Sequence, residues 1–181
     1  MNFSSKIKQF SIKFKLGLWP LPEHKPSGKP AIIEGSKILL LFNYSTMEEI
    51  LLLGDKIPNI KRHLSTSSLI TICNMCNIPL PNENLDIVSL SLNDYNLLGK
   101  PKLELNDLVK KNEFDILFSF ANEGDSLCNN LVSSIKAGFK VGVYNPDNVK
   151  LYDLTIKQES DDISKQLELI THYLNKLNIN K

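Results

Sequence analysis

Phe114-Asp-Ile-Leu-Phe-Ser-Phe120 opens a unit that Phe139-Lys-Val-Gly-Val143 closes, and the residues between carry a helical stripe. Neither run alternates cleanly between apolar and polar, which is how strands buried on both faces read. Leu127, Leu131 and Ile135, with Val132 beside them, recur at helical spacing. Residues 125–138 therefore read as a helix, with Gly138 placed to end it. Strand, helix and strand in so short a span call for a crossover connection and a parallel pair.

Upstream, the pattern repeats. Lys37-Ile-Leu-Leu-Leu-Phe-Asn43 is another uninterrupted apolar run. Ser45…Glu48 and Thr46…Glu49 both offer a capping box for the next helix, whose face is Ile50, Leu53, Ile57 and Leu64. Pro58 is expected to kink or split that helix. Leu69-Ile-Thr-Ile-Cys73 and Asp86-Ile-Val-Ser-Leu-Ser91 read as strands, separated by a loop with Pro79, Pro81, Asn82 and Asn84. Residues 93–102 read as a turn, and 103–111 as a short helix. Downstream, Asn145-Pro-Asp-Asn148 is a turn and 152–156 a weak sixth strand. Residues 161–177 are a helix with the stripe Ile163, Leu167, Ile170, Leu174 and Leu177. The expectation is a three-layer α/β domain over 36–181, Rossmann-like or flavodoxin-like, with a mainly parallel sheet of five to six strands.

The 181 residues carry a formal net charge of +1, which excludes a uniformly basic nucleic-acid binder. That small number conceals two opposed parts. Residues 1–30 hold Lys6, Lys8, Lys13, Lys15, Lys25 and Lys29 against Glu23, a balance of +5. Residues 31–181 hold fifteen basic and nineteen acidic side chains, a balance of −4. In the arm, Phe3, Ile7, Phe10, Phe14 and Leu18 fall on one helical face. The expected layout is a basic amphipathic helix over 1–16, a Pro-rich linker over 17–35 and the α/β domain over 36–181. The arm lacks the apolar core and cleavage site of a secretory signal, and it contains no Arg, as a transit peptide would. Three cysteines exclude a disulfide scaffold, and no run is long enough to span a membrane.

Ligands of open parallel sheets sit beyond the carboxyl ends of the strands. There the sequence places Asn43, Ser45, Thr46, Asn122 and Ser126 as candidate ligand-binding residues. No G-x-G-x-x-G or P-loop follows the first strand, and Glu48, Glu49, Glu123 and Asp125 would repel a phosphate. Cys73-Asn-Met-Cys76 has redox spacing, but Pro79 and Pro81 follow it where a thioredoxin-type helix would begin. His24, His63 and His172 lie far apart, and no G-x-S-x-G elbow is present. Asp115 reads as a strand-start residue rather than an acid catalyst. No catalytic residue, metal site or cofactor is assigned.

The segments Asn112-Glu-Phe-Asp-Ile-Leu-Phe-Ser119, Ile135-Lys-Ala-Gly-Phe-Lys-Val-Gly142, Tyr152-Asp-Leu-Thr-Ile156 and Leu98-Gly-Lys-Pro101 resemble a bacterial domain-of-unknown-function family typical of Bacteroidota. The resemblance implies a Rossmann-like fold and a bacterial cytoplasmic setting. It also implies an acidic residue at the end of the strand, where this chain has Ser119. The strand, helix and Ala137-Gly-Phe-Lys-Val-Gly142 strand of this stretch are also similar to part of one lobe of heptosyltransferase-type glycosyltransferases, a likeness of fold without catalytic meaning.

The leading expectation is a non-enzymatic cytoplasmic accessory or adaptor protein, peripheral to the inner membrane or bound to a protein complex. Its contacts would be Phe3, Lys6, Ile7, Phe10, Lys13, Phe14 and Lys15. The alternatives are a small nucleotide- or sugar-phosphate-binding enzyme using the strand-end loops, and an RNA- or ribosome-associated protein. No DNA sequence recognition is expected. A plainer reading has the arm's phenylalanine face docked on its own body.

Overall fold

The computed structural model describes residues 6–7, 10–11, 36–43, 46–64, 68–74, 87–98, 100, 102, 107, 113–120, 126–146, 149–157, 165–166, 168–169, 172–173 and 176. In chain order they form β1 (Lys37–Asn43), α1 (Met47–Leu64), β2 (Ser68–Asn74), β3 (Ile87–Leu90), a 3-10 turn (Leu92–Asp94), β4 (Phe114–Phe120), α2 (Ser126–Ser134), β5 (Ala137–Val143), a second 3-10 turn (Val149–Leu151) and β6 (Leu154–Ile156). The strands make one sheet in the order β3-β2-β1-β4-β5-β6, with every neighbouring pair parallel. This is the strand order of doubly wound dinucleotide-binding sheets rather than of the flavodoxin type, and it reverses between β1 and β4.

β1 explains why the unalternating runs were informative. Ile38, Leu39, Leu40, Leu41 and Phe42 are all wholly buried, as only a central, doubly covered strand can be. Ile38, Leu40 and Phe42 join Ile50, Leu53 and Ile57 of α1, with Ile116, Phe118 and Phe120 of β4. Leu39 and Leu41 join Cys128, Leu131 and Val132 of α2 and Ile135 just after it, with Leu117 and Tyr152. The two helices thus cover opposite faces of the sheet. At about 1.5–3 kcal/mol per buried aliphatic side chain, these clusters supply the main favourable term in folding. Asp115 ties the two central strands at their starts, its Oδ2 accepting from the Lys37 amide at 2.7 Å.

Three expectations about the elements change. α1 runs unbroken through Pro58. Pro58 lies on the exposed side of the helix, where water can serve the carbonyl that loses its donor. α2 ends at Ser134, and Gly138 lies inside β5 rather than at a helix end. The last turn is closed by Ile135 N–H donating to Leu131 O at 3.0 Å. β6 begins at Leu154 because Tyr152 is used otherwise: its ring lies over Gly142, in the space that any Cβ there would need. In the C-terminal segment Leu169 and Tyr173 pack against the α1-side core, and Gln166 is buried. The expected stripe of Ile163, Leu167, Ile170, Leu174 and Leu177 lies outside the described residues, as do 103–106 and 108–111 of the expected short helix.

Of the basic arm, Lys6, Ile7, Phe10 and Ser11 are described, each with helical backbone. The remainder of the expected 1–16 helix and the 17–35 linker lie outside the described residues.

Candidate functional site

The reversal of strand order puts the natural ligand crevice between the carboxyl ends of β1 and β4. Phe42 pairs with Phe120 in register at that point. Their rings stack with centroids 5.3 Å apart and planes 12° off parallel, and both side chains are buried. A stacked pair of this kind adds about 0.5–1.5 kcal/mol beyond its buried area. On the α1 side, then, the floor of the crevice is an aromatic plug.

On the α2 side the floor is formed by Leu41 and its register partner Ser119, with Gly142 next across. Ser119 is 2% exposed, and its hydroxyl has no hydrogen-bond partner from the protein. The resemblance implied an acid at this position. The structure places a small hydroxyl there, at a point where a carboxylate would be almost fully desolvated.

The start of α1 borders the same crevice. Glu49 N–H donates to Thr46 Oγ1 at 3.3 Å, and Thr46 N–H donates to Glu49 Oε2 at 3.1 Å. Of the two capping boxes that the sequence offers, the chain closes Thr46…Glu49. The hydroxyl of Thr46 is therefore engaged as a cap, and Glu48 and Glu49 occupy the first turn. Two carboxylates at the positive end of a helix dipole take the place that an anion would have used.

The other predicted ligand residues are only partly placed. Asn43 is the last residue of β1 and Ser126 the first of α2, so the chain brings both to the carboxyl edge of the sheet. Ser45 and Asn122 lie outside the described residues. Cys73 lies in β2, level with Phe42, and Cys76 lies outside the described residues. In the arm, Lys6, Ile7 and Phe10 are all exposed, whereas Phe3, Lys13, Phe14 and Lys15 lie outside the described residues. Among the described residues, no three His, Cys, Asp or Glu side chains gather as a metal site would need. No described helix is long and apolar enough to cross a membrane.

Sequence reasoning missed Lys140. It sits in the middle of β5 at 5% exposure, on the α2 side of the sheet. Its Nζ donates to Val132 O at 2.8 Å, in the last turn of α2, so it serves as that helix's C-terminal cation and caps one of its orphan carbonyls. Its backbone exchanges two hydrogen bonds with Asp153: Lys140 N–H to Asp153 Oδ2 at 2.7 Å, and Asp153 N–H to Lys140 O at 2.8 Å. Burial lowers its pKa from 10.5 to about 8, against the pull of the Asp153 carboxylate in the other direction. A lysine inside Phe139-Lys-Val-Gly-Val143, at the alternation position that faces a helix, was the available signal. The role is structural, since Lys140 lies away from the crevice and is spent on α2.

The model of a family of unknown function, DUF6913, matches residues 8–177 of the chain. No curated protein and no solved structure matches it.

Proposed function

We propose, for a chain that belongs to the DUF6913 family of unknown function, that it is a non-enzymatic accessory protein held at an anionic membrane face by its basic N-terminal arm. The observation that carries this reading is the exposure of Ile7 and Phe10, the large apolar residues of the arm among the described residues. Phe10 is 68% and Ile7 37% exposed, with Lys6 exposed beside them. Three positions apart on helical backbone, Ile7 and Phe10 share one side, which suits shallow burial at the headgroup boundary. The +5 balance of residues 1–30 adds attraction to anionic lipid. The plugged crevice and the acidic, self-capped start of α1 support the non-catalytic part.

Cell fractionation of the full chain against Ile7→Ser/Phe10→Ser tests the reading. The parent should sediment with membranes and the variant should shift to the supernatant. Equal distribution of the two, or release of the parent by nuclease, overturns it.

A further inference from the structure

A second surface, on the body, has the same chemistry as the arm. After β3, the chain makes the Leu92–Asp94 turn and then plants Tyr95, wholly buried, in the α2-side core. Asn96 N–H donates to Lys100 O at 2.9 Å and closes a loop around Leu97 and Leu98. Inside that loop the Asn96 side chain accepts from Leu98 N–H at 2.9 Å and from Lys100 N–H at 3.0 Å. Lys102 N–H returns to Asp94 O at 2.7 Å. Asp94 is itself taken up by Ser91, whose amide donates to Asp94 Oδ2.

The result is a tip that presents two leucines outward, 54% and 71% exposed, followed by exposed Lys100 and Lys102. Nothing in chain folding asks for two neighbouring leucines at the end of a tight loop. Four amides of the loop already bond within the protein, so burying the tip in an apolar medium would not orphan them. Along the chain the exposed apolar residues come first and the exposed cations just after them. That is the order in which a bilayer presents acyl chains below and anionic headgroups above.

We infer that the loop 96–102 is a membrane-inserting tip, in which Leu97 and Leu98 enter the acyl boundary of an anionic bilayer while Lys100 and Lys102 meet its headgroups. This rests on the membrane-face reading of the arm and supplies it with a second, pre-ordered contact. A single weak amphipathic segment binds reversibly, and a second contact on the same chain multiplies the partition rather than adding to it.

The test is co-sedimentation of the full chain with vesicles of phosphatidylcholine alone or of phosphatidylcholine with phosphatidylglycerol. Three full-length variants are compared: Leu97→Ser/Leu98→Ser, Lys100→Gln/Lys102→Gln and Ile7→Ser/Phe10→Ser. Each tip leucine should account for about a tenfold factor in partition, so the double serine variant should lose about a hundredfold. The glutamine pair should lose roughly fivefold per lysine, on anionic vesicles only. As a direct readout, Leu98→Trp in a Trp19→Phe background should show a blue-shifted emission when anionic vesicles are added. If the serine tip variant partitions like the parent while the arm variant does not, the tip proposal fails and the arm reading stands. If only the tip variant loses partition, the arm reading fails and the tip proposal stands. A parent chain that ignores both vesicles overturns the proposal, and so does an unshifted tryptophan emission from the vesicle-bound Leu98→Trp variant.

Discussion

Lys140 makes the stability of this protein depend on pH in a direction that can be worked from its surroundings. In the folded chain its pKa is lowered from 10.5 to about 8, because burial disfavours the ammonium and the Asp153 carboxylate offsets only part of that effect. Below pH 8 both states carry the proton, and the folded state bears the full cost of holding a charge at 5% exposure. Between pH 8 and 10.5 the unfolded chain keeps the proton that the folded chain has released, so stability from this group rises with pH. The whole rise amounts to about 3 kcal/mol. Other lysines and tyrosines titrate in the same range, so the quantity to measure is a difference. Urea unfolding of the parent and of Lys140→Met, in reductant, at intervals from pH 7 to pH 10.5, gives two stability curves. Their difference should move in favour of the parent by about 3 kcal/mol across that window. Asp153→Asn keeps an acceptor for the Lys140 amide while removing the charge, so in that background the rise should begin below pH 8. A difference curve flat to within about 0.5 kcal/mol would refute the account, because it would mean that the ammonium is as well solvated in the fold as outside it.

Ser119→Ala should leave stability unchanged or raise it by up to about 1 kcal/mol in urea unfolding, since it removes a buried hydroxyl without a protein partner. A loss above that size would show that the hydroxyl is satisfied by bound water or ligand. Gly142→Ala should destabilise by about 1–3 kcal/mol, because the new methyl meets the Tyr152 ring, and Tyr152→Leu in the same chain should recover much of it. Thermal melts of the single and double variants check both. Thr46→Ala should cost about 1 kcal/mol by breaking the box with Glu49, whereas Leu53→Ala, emptying a wholly buried site, should cost about 2–5 kcal/mol.

The legible parts of the fold were those where one residue pattern has one physical solution. Five apolar residues in a row at 38–42 cannot be half solvated, so β1 had to be central. The stripe Leu131, Val132 and Ile135 had to face a sheet. Boundaries were less legible, since they depend on partners distant in sequence. Gly138 looked like a helix stop, but the pairing of Phe114 with Ala137 claims that segment for β5. Pro58 looked like a break, but the cores of β1 and β4 hold Ile50, Leu53 and Ile57 on one continuous face. The candidate site was the least legible. Asn43, Thr46 and Ser126 were placed at the sheet edge by topology alone. What fills the crevice, Phe42 on Phe120, requires β1 and β4 to be neighbours although they lie far apart in the chain.

The sequence by itself determined the class, a parallel sheet between helices, and the division of charge between arm and body, because periodicity and composition are local properties of a chain. Only the tertiary structure decided the strand order 3-2-1-4-5-6, the use of Thr46 as a cap, the buried post of Lys140 and the exposure of Leu97 and Leu98. Each of these depends on which surfaces meet across the fold. A leucine or a lysine has the same local chemistry in either setting, and only its neighbours in space determine whether it is buried or presented to solvent.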